Sequence, residues 1–305
     1  MLIIISLILI VIIIITSIIL IVGWHFSSIV IYPEVRNYTC TYDTEVKEGK
    51  IEIEKFNNLE KQEVYIDSEY NYKVHGFFFP NNGSKKVIIL CHGITCSLYS
   101  SVKYMDMFLK KDFAIFIYDH RNHGLSGGCN TSFGYYEKFD LKKCTDWLFD
   151  KLGKNIIIGL HGESMGAGTA LQNIAIDDRI NFCIEDCGYS DAQDLFSRRL
   201  KKDYNINNFA LIKLASKISK IRTGWDFKDV SPITTLPKVK VPILFIHGED
   251  DDYVPTYMCK QMYAATNSYK DIYIAQKSGH AQSYWNNKDE YTKRIYKFLT
   301  DINII

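Results

Sequence analysis

Residues 159–168, GLHGESMGAG, decide the fold expected for this chain. They follow the apolar run NIIIGL and precede AGTALQNIAI, which has a helical pattern. A serine at such a strand-to-helix corner takes strained backbone angles that lift its Oγ above the sheet, and glycines two residues to either side let the backbone segments approach closely. The pattern therefore predicts that Ser164 is a nucleophile. The alternative is a small residue in a glycine-rich bend, because G-x-S-x-G arises by chance in a chain of this length on the order of one time in twenty.

Short apolar runs recur along the chain and predict a mainly parallel sheet. Each run is nearly continuous in hydrophobicity, as a strand covered on both faces would be. The runs lie at 87–91, 113–118, 155–160, 181–185, 242–246 and 271–275. Amphipathic patterns such as that at 135–152 separate most of them, and strand then helix, repeated, indicates an α/β fold with helices on both faces of the sheet. Residues 63–80 alternate instead, which predicts a hairpin at an antiparallel edge.

One interval, between Glu185 and Pro242, breaks this rhythm. It runs for more than fifty residues without a core strand, and its pattern indicates two or three amphipathic helices. We expect a small helical lid at about 189–235, inserted over the carboxyl ends of the strands, where open α/β sheets bind their ligands. A single crossover helix with a long loop is the alternative.

The first residues have the composition of a membrane span. Residues 2–22 carry no charge, and all but three of them are Leu, Ile or Val. At roughly −0.3 to −0.6 kcal/mol for each of these apolar residues, insertion into a bilayer is favoured by about 5 to 11 kcal/mol. A cleaved signal peptide is the alternative, but there is no basic n-region, the run exceeds the usual h-region, and GWHFSS offers no A-x-A-like site. The pattern favours an uncleaved, single-pass anchor.

The flanks of this span predict a linker but leave the orientation open. We expect Trp24 and Tyr32 at the membrane interface and a juxtamembrane linker over 24–60. Neither flank has the Lys/Arg excess that sets which side of the membrane the remaining chain occupies.

Charge and cysteine content exclude several other classes of protein. The chain has 36 basic and 35 acidic residues, so its formal charge of +1 does not favour nucleic acid as a partner. The eight cysteines show no disulfide framework. Neither Cys91 with Cys96 nor Cys183 with Cys187 has a matching histidine pair. We expect neither a metal nor a cofactor.

The later part of the chain contains partners for a nucleophilic serine. A serine hydroxyl needs a base, an orienting carboxylate and an oxyanion hole. The acids 249–252 follow the strand predicted at 242–246, and His280 follows the strand predicted at 271–275. Both would lie at the same sheet edge as Ser164, in the order Ser, Asp, His that a nucleophile-elbow fold uses. The backbone N–H of Met165, the residue after the serine, is the expected first donor of the oxyanion hole.

A set of short motifs identifies the family that the chain resembles. From about 63 to 300 it is similar to α/β-hydrolases, in particular to bacterial membrane-anchored serine hydrolases with a small helical lid. The motifs are CHGIT (91–95), YDHRNHGLSGG (118–128), GESMG (162–166), HGEDDDYVP (247–255) and SGHAQSY (278–284).

The resemblance assigns further residues. The family pattern H-G-x-x-D-x-x-V-P selects Asp251 as the triad acid, with Asp250 as the next candidate, and the loop after the first parallel strand supplies Ile94 as the second oxyanion donor. His92 and His247, which precede glycines at strand ends, are expected to be structural. The resemblance implies an α/β-hydrolase domain over 61–305.

These features together predict a serine hydrolase that cleaves a carboxylic ester through Ser164, His280 and Asp251. The anchor and the lid favour a small-molecule or lipid ester, such as a monoacylglycerol or a lysophospholipid, as substrate. A serine peptidase on the same fold is one alternative. A catalytically dead, membrane-tethered binding scaffold is another, because fold membership alone does not establish an activity.

Overall fold

One eight-stranded sheet organises the molecule. The computed structural model describes residues 2–305. The sheet order is β1-β2-β4-β3-β5-β6-β7-β8. The strands are β1 (Gln62–Asp67), β2 (Lys73–Phe79), β3 (Lys86–Cys91), β4 (Phe113–Tyr118), β5 (Ile157–Glu163), β6 (Phe182–Asp186), β7 (Ile243–Gly248) and β8 (Lys270–Ala275). Strands β3 to β8 pair in parallel, whereas β2 is antiparallel to both β1 and β4. The predicted parallel α/β sheet with its antiparallel hairpin is confirmed.

Helices cover both faces of this sheet. The helices in the described residues are α1 (Leu2–Ile31), α2 (Tyr38–Lys47), α3 (Ile53–Asn58), α4 (Met105–Leu109), α5 (Glu137–Leu152), α6 (Met165–Asn173), α7 (Ala192–Tyr204), α8 (Phe209–Thr223), α9 (Pro232–Thr235), α10 (Thr256–Ala265), α11 (Ser283–Asn286) and α12 (Lys288–Asp301). Helices α5, α6 and α10 pack on one face and α4 and α12 on the other. Because both faces are covered, every side chain of β4 is buried, which explains the unbroken apolar run FAIFIY.

The segment expected to be a linker, 24–60, is ordered and largely helical. Helix α1 continues through Ile31, and helices α2 and α3 follow. Ile51 and Phe56 are buried in the same apolar cluster as the side chains of α4 and α12. Helix α1 does not end with the apolar run, because Gly23 and Ser27 beyond it are buried against the rest of the protein. The segment is part of the folded domain.

Helix α1 has two parts with different surroundings. It is long and apolar enough to cross a membrane, and the side chains of its apolar stretch are exposed. Its last part packs on α8, where Gly23, Ser27 and Ile31 are buried. A Cβ on Gly23 would lie 2.8 Å from the side chain of Leu214, so a larger residue at this position would displace that side chain.

The interval between β6 and β7 contains two long helices, α7 and α8, followed by the short α9. We call residues 189–235 the lid segment. Phe196, Trp225 and Phe227 of this segment form a buried cluster with Met165, the residue after the predicted nucleophile. The helices therefore lie over the carboxyl edge of the sheet, and a single crossover helix does not describe the interval.

Candidate active site

Ser164 occupies the sharp turn between β5 and α6. Its backbone has φ 56° and ψ −115°, a left-handed conformation that costs a non-glycine residue on the order of 1–3 kcal/mol. The flanking glycines are sterically required, because a Cβ on Gly162 would lie 2.4 Å from the carbonyl oxygen of Gly166, and one on Gly166 would lie 2.1 Å from that of Cys91. The structure thus gives Ser164 the geometry of a nucleophile elbow.

The structure brings Ser164, His280 and Asp251 into one hydrogen-bonded series. Ser164 Oγ lies 2.8 Å from His280 Nε2, and His280 Nδ1 lies 2.7 Å from Asp251 Oδ2. An ionised carboxylate accepts only, so Nδ1 carries the proton and Nε2 accepts from the serine hydroxyl. This is the tautomer that a general base for Ser164 requires.

Asp251 is held in place by more donors than the sequence indicated. Its Oδ1 accepts the backbone N–H groups of Tyr253 and Val254, both at 2.9 Å. His247 Nε2 lies 3.2 Å from Asp251 Oδ2 and 2.8 Å from the carbonyl oxygen of Val254, so this nitrogen is the donor. Burial alone would raise the pKa of Asp251, but the hydrogen bonds from His247 and His280 outweigh it and hold the pKa well below its usual range. Asp251 is therefore an anion.

His247 was expected to be structural, and its contact with Asp251 gives it a place beside the triad. Burial lowers the pKa of His247, but the hydrogen bond to Asp251 outweighs burial and the net direction is upward. The spacing of four residues between His247 and Asp251 was visible in HGEDDD, but only the folded loop shows that the two side chains meet.

The loop after β3 lies directly beside the serine. A Cβ on Gly93 would be 3.7 Å from Ser164 Cβ. His92 donates from Nδ1 to the carbonyl oxygen of Gly93 at 2.7 Å, and its Nε2 accepts the backbone N–H of His120 at 2.9 Å. These bonds fix His92 as a neutral side chain, in agreement with burial, which lowers its pKa to about 3.

The same loop is held on its far side as well. The backbone N–H of Thr95 donates to His123 Nε2 at 3.1 Å, and its carbonyl oxygen accepts from the backbone N–H of Arg36 at 3.0 Å. Ile94 lies between Gly93 and Thr95, both of which are held by hydrogen bonds. Across residues 2–305, the backbone N–H groups of Ile94 and Met165 have no acceptor, so both stay free to donate to a ligand.

A buried ion pair supports the turn from below. Glu163, the residue before the serine, accepts from Lys103 Nζ at 2.5 Å and from the hydroxyl of Tyr104. Burial would raise the pKa of Glu163, but the Lys103 ammonium outweighs burial and lowers it. Breaking such a pair leaves an uncompensated buried charge, which typically costs about 3–5 kcal/mol. Nothing in the sequence pairs these residues, because they are sixty positions apart.

One grouping in residues 2–305 has the spacing of a metal site, and it includes two triad residues. The ligand atoms of Cys187, Asp251 and His280 lie within 4.8 Å of one another. Both ring nitrogens of His280 are already engaged by Ser164 and Asp251. Burial raises the pKa of the Cys187 thiol well above its usual value, so it is a neutral neighbour and not a thiolate ligand. The donor set fits proton transfer better than metal binding.

An apolar pocket of about 320 Å³ adjoins the triad. Ile94 and Tyr253 are among its lining residues, and the centroid of the Tyr253 ring lies 4.9 Å from that of the His280 imidazole. Phe133 and Phe196 line the pocket as well. Its size falls in the range of small-molecule sites, and the exposed atoms on its walls are mostly apolar.

Behind the triad, Asp186 at the end of β6 is a buried acid with a raised pKa. Its Oδ2 accepts the hydroxyl of Tyr291 at 3.0 Å. Burial raises the pKa of Asp186 to about 7. In an unfolded chain an aspartate has a pKa near 3.9, so between about pH 4 and 7 the folded state holds a proton that the unfolded state has lost. The contribution of this residue to stability therefore falls as the pH rises through that window.

We expect Asp186→Asn to reduce this pH dependence. The carboxamide still accepts from Tyr291 but never ionises, so the variant should lose about 2 kcal/mol less of its free energy of unfolding between pH 5 and 8 than the unmodified chain. Urea unfolding at the two pH values measures this difference. Asp250→Asn, at an exposed position, is the control. Equal pH dependence in all three proteins would contradict the raised pKa.

A sheet of this topology with a serine at the elbow and an acid and a histidine after later strands defines an α/β hydrolase. A family model described as "alpha/beta hydrolase fold" matches residues 86–193. The protein YqkD of Bacillus subtilis is 35% identical over 287 residues, which cover 93% of this chain and 94% of YqkD. The chain therefore belongs to the α/β-hydrolase family, and it is a hydrolase.

Solved structures are similar over most of the chain. The esterase Pf2001 of Pyrococcus furiosus superimposes with a TM-score of 0.66 at 25% identity, covering 81% of this chain and 92% of the esterase. The esterase EaEST of Exiguobacterium antarcticum gives a TM-score of 0.57 at 15% identity, over 78% of this chain and 100% of that one. The second similarity is evidence for the fold alone.

Proposed function

We propose that this hydrolase is a serine esterase that works through a covalent acyl-enzyme. The observation that carries the proposal is the hydrogen-bonded series Ser164–His280–Asp251. In it, the acceptor nitrogen of His280 faces the serine hydroxyl, and the anionic carboxylate of Asp251 accepts from the other ring nitrogen. His280 Nε2 takes the hydroxyl proton as Ser164 Oγ attacks the ester carbonyl, and then gives that proton to the leaving alcohol. Water, deprotonated by the same nitrogen, releases the acid.

The free amides next to the serine supply the oxyanion hole of this mechanism. In the tetrahedral intermediate, the backbone N–H groups of Ile94 and Met165 donate to the oxygen that becomes negative. Losing one such donor in other enzymes reduces kcat by about 10² to 10³. The hydrogen bonds that fix Gly93 and Thr95 support a loop that needs no rearrangement when this charge develops.

The substrate class that we propose is a carboxylic ester with one acyl chain. A carboxylesterase or a lipase acting on lysophospholipids or monoacylglycerols fits the apolar pocket beside the triad. The similarity to the esterase Pf2001, at 25% identity, supports the ester bond as the one cleaved.

We also propose that α1 is retained as a single-pass membrane anchor over residues 2–22. Signal peptidase would cut near GWHFSS, but those residues lie within α1, and Gly23, Ser27 and Ile31 are buried against the rest of the protein. Removing them would expose the face of α8 that they cover. The continuous helix therefore favours retention, with the membrane as the partner of its apolar part.

Labelling with a fluorophosphonate probe tests the mechanism. The unmodified protein should be labelled and Ser164→Ala should not, and a panel of p-nitrophenyl esters of graded chain length should be hydrolysed only by the former. Labelling that persists in Ser164→Ala would overturn the assignment. A protein that is neither labelled nor active would be the dead binding scaffold, and one that cleaves peptide p-nitroanilides in preference to every ester would be a peptidase.

A further inference from the structure

The apolar pocket beside the triad has one wall that does not come from the hydrolase fold. Helix α1 contributes Phe26, Ile29 and Val30 to the lining. Leu200 of α7 and Ile212 of α8 also line the pocket. A membrane helix therefore forms part of a pocket that reaches Tyr253, whose ring packs against the His280 imidazole.

Side-chain contacts hold this wall against the lid segment. The Arg222 guanidinium lies over the Trp24 ring at 3.9 Å and donates to Ser28 Oγ at 2.8 Å. Together with the close approach of Gly23 to Leu214, these contacts join the last part of α1 to α8.

The backbone after α1 is fixed to the core as well. The carbonyl oxygen of Ile31 accepts the backbone N–H of Thr131 at 3.0 Å, and the backbone N–H of Arg36 donates to Thr95 in the loop beside the serine. The last turns of α1 are thus bonded on two sides, to the lid segment and to the catalytic core, and they form a fixed part of the pocket.

The pocket lies close to the depth at which α1 leaves the membrane. With a rise of 1.5 Å per residue, Phe26 and Val30 stand about 6 and 12 Å beyond residue 22. The headgroup layer on each side of a bilayer is about 5 to 8 Å thick. Tyr204, half exposed on the lid segment, packs edge-on against Phe26 at 5.0 Å. An aromatic residue in this position is typical of a membrane interface.

The volume of the pocket sets the length of chain it can hold. At about 320 Å³ the pocket lies at the small end of the range for small-molecule sites, which favours a medium chain. The polar groups on the lining that carry charge are Arg199, Asp203 and Glu34, and the first two pair with each other at 2.7 Å. An uncharged chain therefore suits the interior.

We propose that Phe26, Ile29 and Val30 of the membrane helix are specificity-determining residues, which form the wall against which a medium acyl chain of the ester lies. This inference rests on the proposed esterase function. It makes the anchor part of the substrate site: the same helix that holds the enzyme at the bilayer selects the chain length of the substrate.

Two substitutions test this wall of the pocket, one that enlarges a lining side chain and one that shortens a lining side chain. Ile29→Trp fills the pocket, and we expect the ratio of kcat/KM for p-nitrophenyl decanoate to that for the acetate to fall by about tenfold or more, since a methylene that loses its site typically changes kcat/KM by about 10- to 200-fold. Phe26→Ala enlarges the pocket and should move the best substrate to a longer chain. Ile21→Trp, on the exposed apolar part of the same helix, should leave the ratio unchanged.

The assays use the full-length protein in one detergent, and the rate of fluorophosphonate labelling reports whether each variant is folded. Labelled variants with an unchanged chain-length ratio would overturn the inference while leaving the esterase function intact. The same ratio change in Ile21→Trp as in Ile29→Trp would also overturn it, because the effect would then come from the membrane helix in general. If the unmodified protein were not labelled by the probe, that result would instead contradict the proposed function.

Discussion

Ser164→Ala and His280→Ala are each expected to lower kcat for a p-nitrophenyl ester by about 10⁶, and the double variant should lose no more than either single one. The two side chains perform one step together: without the base the hydroxyl keeps its proton, and without the hydroxyl the base has no proton to take. Their 2.8 Å hydrogen bond is the structural basis of this coupling. At about 1.36 kcal/mol for each factor of ten, the shared loss is about 8 kcal/mol of transition-state stabilisation.

Initial rates of the three variants at saturating ester measure this non-additivity. Ser84→Ala, at the opposite end of the sheet before β3, is the matched control and should keep the full rate. A His280→Ala protein that retains more than about a hundredth of kcat would show that another group removes the proton, since a positioned base contributes about 10² to 10⁴. Losses that multiply in the double variant would show that Ser164 and His280 act in separate steps.

The strands could be predicted because buried strands require runs of apolar residues, and these runs are visible in the sequence. A parallel strand covered by helices on both faces needs apolar residues at consecutive positions, and FAIFIY at 113–118 coincides with β4 residue for residue. The strands before 249 and 280 also predicted where partners of Ser164 would lie, because the carboxyl ends of parallel strands meet at one edge. The choice of Asp251 among the acids 249–252 came from the resemblance to the family pattern. In the structure Asp251, His280 and Ser164 form one hydrogen-bonded series.

The extent of α1 could not be predicted from composition. Hydropathy falls at Gly23, where the membrane span was expected to end, yet the helix continues to Ile31. The residues that continue it are stabilised by Arg222, nearly two hundred positions away. The residues around Gly23 do not indicate a partner so distant in sequence. The contribution of α1 to the pocket lining was therefore not predicted.

Gly168, in the helix that follows the serine, has a role that the sequence did not indicate. In the structure a Cβ at this position would lie 2.4 Å from the ring of Tyr189, whose hydroxyl donates to the carbonyl oxygen of Phe133 at 2.7 Å. The space left by Gly168 is taken by a tyrosine from the loop after β6, and that loop has no regular pattern from which its path can be predicted.

Asp251 is one of four consecutive acidic residues, 249–252, and it is the one that contacts His280. Asp251→Asn should lower kcat by about 10⁴. The reason lies in how the carboxylate is held. Its Oδ1 accepts two backbone N–H groups, from Tyr253 and Val254, so the carbonyl oxygen of an asparagine must occupy that position. The NH₂ group is then left to face His280.

That orientation reverses the tautomer of the histidine. An NH₂ group donates, so Nδ1 of His280 becomes the acceptor and its proton moves to Nε2, the atom 2.8 Å from Ser164 Oγ. A protonated Nε2 cannot take the serine proton, and the base is lost although every side chain keeps its place. The same NH₂ also faces Nε2 of His247, a second donor, and this clash of donors adds to the cost.

Asp250→Asn and Asp252→Asn are the matched controls for this substitution. Both side chains are exposed, and Asp252 pairs with Lys202 on the surface. Each control should retain kcat, while Asp251→Asn keeps its fold, as circular dichroism would show, and loses activity. If Asp250→Asn lost activity and Asp251→Asn did not, the acid would be Asp250. The backbone donors argue against that outcome, because they bind a carboxylate at 251 before any substrate arrives.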